Sequence, residues 1–228
     1  VKVAKLYIDP LTASNLITRM RDASDKKVNE FSFLQAICHT LELRPLLRVG
    51  IRERERIQEE LMGKMHYLID KEPSMYESEY EEFLNSAKTA LMFNDWIMEK
   101  DEDFLLETYN IRPGEIRAKI EIADWLLYST GEMCKLLHYQ DIVKHIMKLR
   151  LRLKYGAKEE LLTLLRLKGI GRVRARAMHR NGIKDIGDVK KVEFRTLKNI
   201  LGEKTSLDVK KQVGEEQIKK EKNLKQWN

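Results

Sequence analysis

Basic side chains set close to paired glycines are a chemistry for anions. Residues 167–183 read LKGIGRVRARAMHRNGI. Lys168, Arg172, Arg174, Arg176 and Arg180 surround Gly169, Ile170 and Gly171, and no acid interrupts the run. Glycine tolerates backbone angles that other residues resist, and it leaves room for another backbone to come close. A helix that starts after the second glycine turns its first N–H groups outward, where they bind a phosphate well. Asn181-Gly182 reads as the stop of that helix. At ~100° per residue, Gly171, Ala175 and Met178 share one side, Arg172, Arg176 and Arg180 form a second stripe, and Arg174 lies ~160–200° from Arg172 and Arg176.

The rest of the chain must position this cluster. Its 228 residues suit one large or two small domains, and 43% hydrophobic content is ample for a core. No run approaches the ~18 apolar residues of a membrane span. The opening VKVAKLYIDP is too polar for a signal peptide, and without an initiator Met the chain reads as part of something longer. Cys38 and Cys134 stand far apart, which suits free thiols inside a cell. The net charge of +7 is unevenly spread. Residues 144–180 hold twelve Lys or Arg against Glu159 and Glu160, while residues 70–107 hold twelve acids against three lysines. That polarity fits an oriented nucleic-acid surface, although solvated helix faces of a charge-rich protein give the same pattern.

Only 11 glycines and 4 prolines punctuate the chain, and apolar residues recur at three and four, so the fold class is all-α. The spacing predicts helices from Pro10, over 31–43, over 51–69, after Pro73, over 102–109, over 114–130, over 132–154 and over 158–167. No repeat of fixed period is visible. The expected organisation is a helical bundle over 1–154, a small DNA-binding domain over 155–214 and a charged tail over 215–228 that frays.

KEELLTLLRL-KGIG-RVRARAMHR-NG resembles the helix-hairpin-helix motif of proteins that grip DNA by its backbone without reading sequence. Binding of that kind is strongly salt-dependent. A second candidate lies on the helix 114–130. With Ile116 set at 0°, Ile120, Ala123 and Leu127 fall within about 40° of it, and Trp125 falls at about 180° among Ala118, Glu121, Ile122 and Ser129. Arg117 and Lys119 flank that side. The arrangement suits a platform on which a base stacks, or a central helix buried on both sides. Trp96, in LMFNDWIM, reads as core.

Taken in order, LYIDP, the GEIRAKIEIADWL helix and GIGRVRARAM make nearly the whole chain similar to the C-terminal third of the Hjm-type archaeal DNA helicases, Ski-like members of superfamily two. The resemblance implies a ratchet bundle that closes a ring around the translocating strand, with Trp125 stacked on a base. The family presents an Arg two turns before that Trp. Here the position is Ala118, and Arg117 and Lys119 sit on either side. Arg172-Val173-Arg174-Ala175-Arg176 matches the family's RxRAR cluster, in a last domain that holds the emerging strand and restrains unwinding. The implied partners are single-stranded and forked DNA, the motor domains of the same polypeptide, and replication or recombination proteins. The implied place is the cytoplasm, beside the nucleoid and away from membrane.

The sequence has no GxxxxGK[ST] loop, so ATP and Mg are expected only in motor domains absent from this chain. No His or Cys spacing suits zinc, and no Ser-His-Asp or Cys-His arrangement is present, so neither a metal site nor a catalytic centre is expected. The expected function is the DNA-gripping part of an ATP-dependent 3′-to-5′ helicase acting on forked or branched DNA in replication-linked repair. Two rivals stand beside it. One is the accessory domain of a structure-specific nuclease or glycosylase, and the other is a protein-interaction scaffold.

Overall fold

The structure, a computed structural model, describes residues 6–214; the charged tail expected over 215–228 lies outside the described residues. Eleven α-helices and several 3-10 turns make up the described residues, with no strand among them, so the fold is all-α. The chain divides into two compact units, Val1–Gly156 and Ala157–Asn228.

The first unit begins with α1 (Pro10–Ser24), whose start is fixed by Pro10 and by the Asp9 carboxylate accepting the Leu11 N–H at 2.8 Å. α2 (Glu30–Cys38) opens on a reciprocal cap between Asn29 and Ser32 and is buried along almost its whole length. α3 (Arg54–Met62) and α4 (Tyr80–Ile97) follow, then α5 (Glu102–Tyr109), capped by Asp101. The long α6 (Pro113–Leu136) and α7 (Gln140–Tyr155) complete the bundle. Its core is built by Leu16 and Met20 of α1, Phe31, Phe33 and Leu34 of α2, Phe83, Leu84 and Phe93 of α4, and Ile146, Leu149 and Leu153 of α7. Truncating any of these large side chains to Ala should cost about 2–5 kcal/mol.

The sequence expectation of separate helices over 114–130 and 132–154 is corrected. α6 runs unbroken through Gly131, and the break falls at Leu137–Tyr139, where His138 has φ 62°. Gly131 is there for packing: a Cβ on it would sit 3.4 Å from Ile146 Cγ2, so its bare backbone lets α7 come close to α6. The long helix expected over 51–69 is likewise shorter. It becomes a 3-10 turn at Ile51–Glu53, α3, and a second turn at Met65–Tyr67, with Gly63 ending the α-helix. Trp96 packs against the core, and its indole N–H donates to the Leu153 carbonyl at 2.7 Å, tying α4 to α7.

The second unit contains 3-10 turns at Glu159–Leu161 and Leu164–Arg166, then α8 (Arg172–Arg180), α9 (Ile186–Lys191), α10 (Phe194–Leu201) and α11 (Glu203–Gln212). Its buried residues include Leu161, Leu164, Ile170, Ala175, Met178, Val189, Leu197 and Val209. Lys210 is also buried. Its ammonium donates to the carbonyls of Lys190 at 3.1 Å and Val192 at 2.6 Å, satisfying the end of α9. The expectation of an α-helix over 158–167 is corrected to the two 3-10 turns. A continuous helix would point Leu167 about 120° away from Leu161, whereas two short turns bury both.

Candidate nucleic-acid interface

The hairpin of the second unit is set by Gly169, whose φ of +80° is a left-handed conformation that an L side chain resists. Ile170 is buried and anchors the turn, and its N–H donates to the Leu167 carbonyl at 3.1 Å. Gly171 caps α8 with extended backbone, and a Cβ at Gly169 or Gly171 would meet nothing within 4 Å. No side chain caps α8, as at α3, α4, α6, α7, α10 and α11, whereas Asp9, Asn29, Asp101 and Asp185 cap α1, α2, α5 and α9. The helix start therefore faces open space without a protein carboxylate, an arrangement that suits an incoming phosphate.

The five bases around this turn divide by what they touch. Lys168 and Arg180 are exposed. Arg172 is half-buried. Arg174 folds back, and its Nη1 donates to the Gly169 carbonyl at 2.7 Å, so it braces the turn from outside the stripe of Arg172, Arg176 and Arg180. Arg176 pairs with Glu160 at 2.6 Å across the hairpin. That hydrogen bond holds the Glu160 carboxyl below its ordinary range, burial working weakly against it, with the Arg176, His179 and Lys158 charges adding to the depression.

One brace was invisible in the sequence. Gln212, the last residue of α11, accepts the Lys168 N–H at 2.7 Å and donates its own amide to the Lys168 carbonyl at 3.1 Å. The partners are 44 residues apart, and nothing in local spacing marks them. A second turn was also missed. α8 and α11 start after Gly171 and Gly202, and Ala175 and Met178 have buried counterparts in Ser206 and Val209 at the same offsets. This near-repeat escaped notice because its charges differ. Glu203 stands where Arg172 stands, and it pairs with Lys198 at 2.7 Å. An acid at that position disfavours phosphate.

In the bundle, α6 begins at Pro113, and Glu115 accepts the Arg112 N–H at 2.9 Å. Of the predicted stripe, Ile116, Ala123 and Leu127 are buried and Ile120 is partly buried; Leu126 and Ser129 are buried as well, so the buried side of α6 is wider than the stripe and takes in part of the side assigned to Trp125. Trp125 is half-buried, packed against the edge of the core, and its indole N–H donates to the Leu6 carbonyl at 3.0 Å. It is thus neither wholly core nor freely projecting: its indole N–H is fixed and the residue is only partly exposed. Arg117 and Ala118 are exposed. Lys119 turns elsewhere. It is half-buried with its ammonium on the Pro45 carbonyl, and burial lowers its pKa, the nearby Cys38 and Glu115 opposing. The structure therefore leaves Arg117, not Lys119, on the open side of α6.

Part of the basic segment is spent inside the protein. Arg152 is buried, pairs with Glu30 and donates to the Ile97 carbonyl, and Arg150 pairs with Asp124. Cys38 and Cys134 are both buried and free, and burial pushes both thiols up, Cys134 to about 12. Among the described residues no group of three or more His, Cys, Asp or Glu side chains is arranged to hold a metal ion. No helix among them is long and apolar enough to cross a membrane.

An all-α bundle, followed in the chain by a unit in which a glycine hairpin opens a basic helix, is the class of module that the fold defines. The particular family follows from comparison with known proteins: residues 31–156 match the family model "Archaeal helicase, domain 4", and the chain belongs to that family. It is 36% identical over 206 residues to the ATP-dependent DNA helicase Hel308 of Pyrococcus abyssi, covering 89% of this chain and 28% of the relative. It is 37% identical over 214 residues to the Hel308 helicase of Methanocaldococcus jannaschii, covering 93% of this chain and 17% of the relative. The Hel308 helicase of Methanococcus vannielii is 38% identical over 201 residues, covering 83% of this chain and 25% of the relative. The chain thus spans about a quarter or less of the length of these relatives.

Proposed function

We propose that this chain is the strand-gripping C-terminal part of an ATP-dependent 3′-to-5′ DNA helicase that works on forked or branched DNA in replication-linked repair. The observation that carries the reading is the uncapped start of α8 behind the Gly169–Gly171 turn, with Lys168 and Arg172 beside it and Arg180 further along the same helix. Membership of the helicase family supports the same reading. Nuclease and glycosylase readings are less favoured, because this family is one of helicases.

In this reading the motor domains, which would bind ATP and Mg, belong to other parts of the same polypeptide. This chain's own residues do two things. Backbone N–H groups at the start of α8, with Lys168, Arg172 and Arg180, hold phosphates of the exiting strand. Trp125 stacks on a base with its ring edge fixed by Leu6, each stacked base contributing about 1–3 kcal/mol, and so resists back-slipping while the motor resets. Arg117 offers a charge near that platform. Replication or recombination proteins are further partners, and the setting is the cytoplasm beside the nucleoid.

Fluorescence anisotropy of the chain with labelled single-stranded, forked and duplex DNA, titrated in salt, tests the reading. The expected result is affinity that falls linearly in log–log form, with a slope of about −0.7 per phosphate contact on single strands. Absence of binding at about 50–100 mM salt, where phosphate contacts are strong, overturns it in favour of a scaffold. Cleavage of nicked, forked or damaged DNA overturns it in favour of the nuclease or glycosylase.

A further inference from the structure

Tyr128 lies one turn beyond Trp125 on α6, and it is 42% exposed although Leu126, Leu127 and Ser129 beside it are buried. Its ring is not loose. The Arg150 guanidinium, from α7, lies 4.9 Å from the ring centroid. That guanidinium is itself fixed by a two-pronged pair with Asp124 of α6, Nε to Oδ1 at 2.8 Å and Nη2 to Oδ2 at 2.9 Å. Two parallel charge-assisted bonds hold a planar cation in one orientation, which a single bond would not do. Met147 and Leu151 of α7 stand partly exposed at 41% and 43%, and Arg150 Nη1 also reaches the Met147 sulfur at 3.9 Å.

We propose that Tyr128 is a second base-stacking platform on the open face of α6, with Arg150 and Asp124 as positioning residues that hold its ring ready. The proposal rests on the reading of the chain as a single-strand grip. Three residues along a helix displace Tyr128 from Trp125 by about 4.5 Å in rise and about 60° in direction. That offset lets successive or next-but-one bases of one strand meet the two rings. Arg117 points within about 20° of Tyr128, three turns earlier, and is exposed. Arg117 supplies an exposed cation at one end of the face, whereas Arg150 at the other end is paired with Asp124 and serves to hold the ring. Glu121 lies between them and is exposed, so the strand must turn its bases toward α6 and its phosphates away. A flat ring held by a cation is the device that meets bases without regard to sequence.

The test uses the 228-residue chain and oligo-dT carrying a 2-aminopurine reporter, whose emission is quenched by stacking. Tyr128→Leu keeps a side chain of comparable bulk and removes the ring. The expected result is about fivefold or greater loss of affinity, brighter emission from the bound oligonucleotide and an unchanged salt slope, because no phosphate contact is lost. Tyr128→Phe is expected to retain both affinity and quenching. Arg150→Lys, which loses the two-pronged pair but keeps the charge, is expected to brighten the bound reporter. If wild-type chain does not bind, the reading of the chain as a grip fails. If wild type binds and Trp125→Ala weakens it while Tyr128→Leu matches wild type in affinity and emission, the second platform is overturned and the grip stands. Should Tyr128→Leu lower the melting temperature, Tyr128→Phe against Tyr128→His, both flat rings, decides: loss of quenching in both overturns the proposal.

Discussion

Gln212 closes the base of the Gly169–Gly171 turn from 44 residues further along the chain, clasping the backbone of Lys168 with both its amide oxygen and its amide nitrogen. Each such neutral hydrogen bond is worth about 0.5–1.5 kcal/mol net. Both groups sit at the surface, so losing the clasp should loosen the turn more than it unfolds the domain. Gln212→Ala is expected to lower DNA affinity by about threefold to tenfold with little change in melting temperature. Gln212→Glu should bind more weakly still, since it loses the donor and adds a negative charge beside the phosphate path. Anisotropy and thermal melts on the same samples check both.

Arg176, proposed above as part of the basic stripe, is engaged by Glu160 within the protein. Its pair with Glu160 is partly exposed and so contributes at most about 1 kcal/mol to stability. Glu160→Gln should therefore leave the fold intact, remove the negative charge beside the guanidinium and tighten DNA binding, with a steeper salt dependence by up to about one phosphate contact. Arg174→Ala should act differently. It removes the brace on the Gly169 carbonyl, so affinity is expected to fall with only a small change in slope. A salt titration separates the two outcomes, and equal slopes for both variants would remove Arg176 from the interface.

The two cations that flank the Trp125 side in sequence are separated by the structure. Lys119 is engaged with the Pro45 carbonyl, while Arg117 is exposed. Arg117→Ala is expected to reduce single-strand affinity by a fewfold and leave the melting temperature unchanged. Lys119→Ala is expected to lower the melting temperature, because the loop at Pro45 loses its tie, and to leave affinity near wild type. The reverse pattern would identify Lys119 as the DNA-facing charge.

Helical periodicity made α6 and its buried stripe legible, because one buried side and one open side write themselves into the spacing of Ile116, Ala123 and Leu127. The Gly169–Gly171 turn was legible in part because the left-handed backbone at Gly169, φ +80°, demands glycine. What escaped were pairings across long separations. Nothing local says that Arg174 bends back to Gly169, that Gln212 reaches Lys168, or that Lys119 is occupied at Pro45. Gly131, between the two helices expected over 114–130 and 132–154, shows a related limit. A glycine in a helix signals a break when read alone, but it also serves close helix packing, and only the presence of Ile146 against it distinguishes the two. Summed charge misled too, since Arg150, Arg152 and Arg176 each have an acid partner in the folded chain.

His39 makes the stability of the bundle depend on pH in a window of its own. It is partly buried beneath α4, 3.2 Å from the Ser86 hydroxyl, whose proton goes to the Phe83 carbonyl at 2.7 Å. With that proton committed, the contact suits a ring that donates its Nε2–H to the hydroxyl oxygen. Burial, and then the Arg19 charge, lower its pKa to about 4, with Asp70 and Glu82 opposing. The unfolded chain takes up this proton near pH 6.5, so between about 6.5 and 4 the unfolded state binds more protons than the folded one. Stability from this group is complete above pH ~6.5 and is lost progressively as pH falls toward 4. Glu53 acts lower. Burial alone would raise its pKa, but the Gly50 N–H and Lys88 outweigh it and hold it down, so its contribution is lost only as pH falls below about 4.5. Melting temperatures measured from pH 7.5 to 4.5 should decline for wild type and decline less for His39→Gln, which has no proton to gain. Parallel curves for the two proteins would show that His39 is protonated without cost in the folded state.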